Sequence, residues 1–132
     1  MTVVVDASAT VDYLLAFGAF ERIAERLSAP GQTLHAPHVL DLEVARALRR
    51  LASRATITPS RAQEALEDYG GLRIRRYPHR ALLPRIWELR TNISAFDAAY
   101  VALSEALDAP LVTSDGALAR SPGHTATVEL YR

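Results

Sequence analysis

Val3-Val4-Val5 is an unbroken β-branched run that stops at Asp6, and the residues that follow set Val11, Leu14, Leu15, Phe20, Ile23 and Leu27 at helical spacing. That pattern predicts a buried strand and then a helical region over residues 9 to 27, closed by Ala29-Pro30-Gly31. A second short strand is expected from Thr33 to Ala36, followed by a strongly periodic helix from Leu40 to Ala55. Thr58-Pro59-Ser60 opens another helix with proline in its first turn, and Gly70-Gly71 closes it. Arg73 to Tyr77 alternates like an edge strand, with Arg73 and Arg75 on one side. Helices are predicted over 82–90 and 95–107, then a strand at Leu111-Val112-Thr113, a turn-rich helical piece as far as Pro122-Gly123, and a last strand within 126–131. Strands alternating with helices imply a parallel sheet covered on both faces, an α/β fold in three layers.

A chain of 132 residues, 49% of them hydrophobic, buries one core and is expected to form a single domain from 1 to 132. No window approaches 18 consecutive apolar residues and no basic flank precedes the first apolar run, so neither a membrane span nor a secretory signal is expected. The predicted compartment is the cytoplasm. Cysteine is absent, which removes thiol nucleophiles, disulfides and cysteine-ligated zinc. All 15 basic residues are arginine, which excludes the P-loop and Schiff-base chemistry. The formal net charge is zero, yet charge is segregated: residues 1–40 carry four acids and two arginines, 41–90 six and eleven, 91–132 five and two.

In an open parallel sheet, ligands bind beyond the carboxyl ends of the strands where the strand order reverses. Asp6 and Asp115 each directly follow a short apolar strand and are placed at that edge. Each also has a plain structural reading as a helix cap or turn residue, and Ser94-Ala95-Phe96-Asp97 matches a capping box. Glu43 differs, because at about 100° per residue it lies on the margin of the stripe formed by Leu40, Val44, Ala47, Leu48 and Leu51. A carboxylate there requires a cation, a donor or a raised pKa. Four acids meeting at one sheet edge repel one another unless a divalent cation neutralises them, and an all-oxygen set favours Mg2+ or Mn2+. Such a site suits phosphoryl chemistry. Haloacid-dehalogenase phosphatases and receiver domains both need a lysine, and the spaced glycines of a dinucleotide fold do not follow Asp6.

Four stretches resemble a known family, the PIN-domain ribonucleases, and among them the VapC-type toxins of toxin–antitoxin pairs. They are Val3 through Ser8, Pro37 through Val44 with Leu48, Phe96 through Leu103, and Pro110 through Asp115. The resemblance implies a PIN-like α/β/α fold with a central parallel sheet, and an acidic quartet of Asp6, Glu43, Asp97 and Asp115. It implies Asp6, Asp97 and Asp115 as metal ligands, Glu43 as the group that positions water or a second ion, and Ser8 and Thr113 as supporting hydroxyls. Some PIN domains carry a further acid two residues past Asp115, where this chain has Ala117, so a second fully occupied metal site is not expected. The resemblance also implies a homodimer, a cognate VapB-type antitoxin, and hydrolysis of phosphodiester bonds in transfer or ribosomal RNA that inhibits translation and growth.

Arg46, Arg49 and Arg50 on the helix of Glu43, and Arg73 and Arg75 on the edge strand, are candidates for gripping an RNA backbone, with solvated surface as the competing reading. His35 and His38 have H-x-x-H spacing, but Pro37 between them argues against a helical metal pair. Tyr13, Trp87, Phe96 and Tyr100 are read as core or dimer-interface residues. Two alternatives stand beside the ribonuclease reading: a catalytically inactive PIN-like RNA-binding or scaffold protein, and a structure-specific DNA nuclease.

Overall fold

Val3, Val4 and Val5 are fully buried, so strand β1 (Thr2–Val5) is covered on both faces, as its unbroken apolar run requires. The computed structural model describes residues 1–132. It adds β2 (Thr33–Pro37), β3 (Ile74–Tyr77), β4 (Leu111–Thr113) and β5 (Val128–Leu130) in one sheet of order β3-β2-β1-β4-β5. Every neighbouring pair is parallel; Val4 is opposite His35 on one side and Leu111 on the other. The chain builds outward from β1 to β3 and then returns to place β4 on the other side of β1. The reversal of strand order therefore lies between β1 and β4, where Asp6 and Asp115 emerge.

The helices are α1 (Ala7–Leu15), α2 (Phe20–Leu27), α3 (Val39–Ser53), α4 (Pro59–Gly70), α5 (Leu83–Glu88), α6 (Ala95–Leu107) and α7 (Gly116–Ala119). α1, α3 and α4 pack on one another, while α5 packs on α6, which lies on β1, β2 and β4. Helices thus flank the parallel sheet, as expected. The core runs from the β1 valines through Leu40, Val44 and Leu48 of α3 to the almost entirely buried stretch Ala98–Ser104 of α6.

The continuous helical region expected over 9–27 is in fact two helices. Ala16 adopts a left-handed conformation (φ 56°) as the C-cap of α1, Gly18 follows at φ 55°, and the amides of Ala16 and Phe17 both return to the carbonyl of Asp12. Apolar spacing carries across this break because both helices face the same core, so periodicity alone did not reveal it. The predicted 82–90 helix begins with a 3-10 turn at Arg80–Leu82, and the piece after Asp115 is a single helical turn. β3 is an edge strand, as its alternation suggested, and so is β5.

Candidate active site

Asp6 leaves β1 in extended conformation and caps α1, with Oδ1 accepting from the Ala9 amide at 2.9 Å and from Ser8 Oγ at 2.8 Å. Oδ2 accepts from Thr113 Oγ1, at the end of β4. Thr113 Oγ1 in turn accepts from the Asp115 amide, and Ser8 Oγ from the Ser114 amide, both at 2.9 Å. Each hydroxyl has one proton, and both protons are directed at Asp6. The 3.2 Å approach of Ser8 Oγ to Thr113 Oγ1 is therefore a contact rather than a third hydrogen bond. Asp6 is 4% exposed, and burial pushes its carboxyl up to about 6 against the pull of its three donors, with the charge of Asp97 adding to the rise.

Asp97 enters from the first turn of α6, whose cap Ser94 Oγ accepts from the Asp97 amide at 3.2 Å. Burial raises its carboxyl, and the charges of Asp115 and Glu43 raise it further. Glu43 lies on α3 with its side chain largely buried; Oε1 accepts from Tyr100 Oη, and Oε2 is 3.8 Å from Arg46 Nη2. The donor that a carboxylate on the edge of an apolar stripe requires is thus a tyrosine hydroxyl. Asp115 caps α7 through Oδ1, which accepts from the Ala117 amide at 2.9 Å and the Leu118 amide at 3.3 Å. The capping readings of Asp6 and Asp115 therefore hold together with their shared placement.

All four acids line one cavity of about 560 Å3, together with Ser8, Tyr100, Ser114 and the guanidinium-bearing Arg46 and Arg50. Arg46 also lies over the ring of Phe96 at 5.5 Å. Arg49 is exposed on α3 and does not line the cavity. Arg73 and Arg75 are exposed at the β3 edge, two strands from β1, where Arg75 lies over Tyr77. His35 is buried in the sheet, its ring nitrogens within hydrogen-bond distance of Tyr77 Oη (2.7 Å) and Thr33 Oγ1 (2.8 Å). Tyr100 and Ser114 escaped the sequence reading. Tyr100 was accessible to it, since it follows Asp97 by three positions and so shares its helix face.

No three acidic or histidine side chains are grouped closely enough to enclose an ion as they stand. Asp6 is turned to its hydroxyl and amide donors, and Asp115 to the amides of α7. The chemistry of the set fits a hard divalent cation: four carboxylates, two of them raised by burial and mutual repulsion, with hydroxyl oxygens and no sulfur. Ser114 Oγ, on the same wall, is buried without a hydrogen-bond partner and is a further oxygen for a hydrated ion.

The PIN domain family matches residues 3–123. A VapC ribonuclease of Mycobacterium bovis is 47% identical over 113 residues, covering 86% of this chain and 85% of that protein. Ribonuclease VapC12 of Mycobacterium tuberculosis is 40% identical over 128 residues, covering 97% and 98%. Among solved structures, VapBC2 from Rickettsia felis bound to a DNA fragment from its promoter superposes with a TM-score of 0.72 at 18% identity over the whole of both chains. VapC20 of Mycobacterium tuberculosis, a sarcin-ricin loop cleaving toxin, gives 0.69 at 15% identity, covering 89% and 92%. The structural likenesses speak to the fold. With that fold, the four acids at its strand reversal and relatives of this identity aligned along most of its length, the chain belongs to the PIN domain family, among the VapC ribonucleases.

Proposed function

We propose that this chain is a single-domain, divalent-cation-dependent endoribonuclease, the toxin of a toxin–antitoxin pair, using Mg2+ or Mn2+. The observation that carries the reading is the meeting of Asp6, Glu43, Asp97 and Asp115, from four separate segments, in one cavity at the strand reversal. Asp6, Asp97 and Asp115 would hold the ion, and Ser8 and Thr113 fix the direction of the Asp6 carboxylate. When bound, the ion activates water and stabilises charge on the phosphodiester oxygens. Glu43, oriented by Tyr100, accepts a hydrogen bond from the attacking water and aligns it. Arg46 and Arg50, which line the cavity, hold the flanking backbone phosphates, and the exposed Arg49, Arg73 and Arg75, which do not line it, are left to contact RNA outside it.

The partners implied are an RNA and a VapB-type antitoxin, the kind of protein that accompanies the toxin in the VapBC2 assembly. A homodimer fits the surface: Leu83, Trp87 and Phe96 are exposed, so the core reading of Trp87 and Phe96 does not hold, whereas Tyr100 is buried. No helix is long and apolar enough to cross a membrane.

The test is cleavage of total RNA by the purified chain with Mg2+ or Mn2+ and with chelator. Cleavage that needs the cation and disappears in folded Asp97→Asn supports the proposal. Cation-independent cleavage, or full activity in that variant, overturns it.

A further inference from the structure

The cavity extends well past its carboxylates. Along α3 it is lined successively by Glu43, Ala47 and Leu51, a distance of about 12 Å at 1.5 Å per residue. Along the opposite wall it passes from Asp6 through Val11 to Phe17, beyond the end of α1. A hydrated ion and one phosphate need only the acidic end. The remainder sets the apolar Val11, Phe17, Ala47 and Leu51 beside the charged Asp12 and Arg50, and the total volume is that of a site for a small organic molecule.

Phe17 is the unusual element of that wall. It is 37% exposed and is not among the side chains packed on the core. Its ring has neither an aromatic nor a cationic neighbour, whereas Phe96 is covered by Arg46 and Trp87 by Arg90. The turn that presents it is tightly determined. Ala16 takes a left-handed conformation, the Phe17 amide is held by the Asp12 carbonyl at 3.0 Å, and a Cβ at Gly18 would meet Asp12 Oδ2 at 2.8 Å. An exposed aromatic held on a constrained turn, inside a cavity that also contains Arg50, is equipped to receive a flat partner.

On the nuclease reading above, we propose that Phe17 is a stacking platform for an unpaired nucleobase of the RNA, one nucleotide removed from the bond that is cut, with Arg50 against the adjoining phosphate. Base stacking on an aromatic face requires a base out of a helix, so the substrate class is a single strand or loop rather than a duplex.

The experiment compares the unaltered chain with Phe17→Ala, Phe17→Leu and Phe17→Trp, using a single-stranded oligoribonucleotide that the chain cleaves. Versions of that oligonucleotide carry an abasic residue at each position beside the cut. Stacking is lost in both the alanine and the leucine variants, so KM is expected to rise about tenfold or more in each, with kcat little changed. Tryptophan is expected to restore it. One abasic position should weaken the unaltered chain by a similar factor and add nothing to Phe17→Ala. The same loss should appear as weaker oligonucleotide binding in an Asp97→Asn background, without cleavage. An unchanged KM in Phe17→Ala, or full rescue by leucine, overturns the inference and leaves the nuclease reading intact. So does a defect confined to binding a protein inhibitor, which would make Phe17 an antitoxin contact. Cleavage of no RNA by the unaltered chain overturns both.

Discussion

Thr113 Oγ1 donates to Asp6 Oδ2 although the two residues are 107 positions apart, and the same oxygen accepts the Asp115 amide. One hydroxyl thus joins the end of β1 to the turn after β4. Thr113→Val keeps the shape and removes both bonds, leaving a buried carboxylate oxygen and an amide unpaired. The expected loss of stability is about 1–3 kcal/mol, measured by urea unfolding. Mn2+ affinity should fall about 10–100-fold, measured by calorimetry.

Asp6 also sets a pH dependence. Its carboxyl is raised from 3.8 to about 6 by burial, so folding favours the protonated form. That contribution is fully present below pH 3.8 and is lost as pH rises through 6. At neutral pH, ionised Asp6 costs the cation-free fold roughly 3 kcal/mol at 1.36 kcal/mol per pH unit. Asp6→Asn is therefore expected to gain stability relative to the unaltered chain between pH 4 and pH 7 in chelator, and to lose cation binding. Mn2+ uptake by the unaltered chain should weaken below about pH 6, because the ion then competes with a proton. A stability difference independent of pH would contradict this account.

The opposite sign holds at Glu105. Its carboxylate accepts from Arg85 Nε at 2.8 Å and Nη2 at 3.0 Å, and from the amide and hydroxyl of Thr125, which ties the segment before β5 to α6. These bonds, with the two to Arg85 foremost, lower its carboxyl from 4.5 to about 2. The stability they provide is present above pH 4.5 and is lost as pH falls towards 2. Glu105→Gln is expected to cost about 1.5–3 kcal/mol at pH 7, reduced by solvent screening of the partly exposed Arg85. The difference should shrink at pH 3. Thermal melts at the two pH values check it, and amide exchange should report faster opening of β5.

Trp87 is 67% exposed and follows Leu83 by four residues on α5, beside an apolar hollow of about 150 Å3 lined by Val39, Leu83, Ile86 and Phe96. If this face joins two copies, Trp87→Glu places a charge in the contact. Light scattering is expected to show a shift from dimer to monomer with an unchanged melting temperature for the monomeric fold. A persistent dimer would exclude this face as the interface.

Much of this was legible in local sequence. The β1 valines, the N-terminal proline of α4, Ser94 as a cap and Asp6 and Asp115 at strand ends are signals carried by a few adjacent residues. The break at Ala16 was not legible, because nothing in an alanine side chain announces a left-handed conformation. Nor was the difference between Arg46 and Arg49, three positions apart, one over the cavity and the other in solvent.

By itself the sequence determined the alternation of strands and helices and the four carboxylates, since strand ends, caps and apolar stripes depend on neighbours within a turn or two. Only the tertiary structure decided that Thr113 serves Asp6, that Tyr100 serves Glu43 and that Phe17 faces the same cavity. Those relations follow from β4 lying beside β1 and α6 crossing the sheet, and such strand order arises from packing across the whole chain, which no local period encodes.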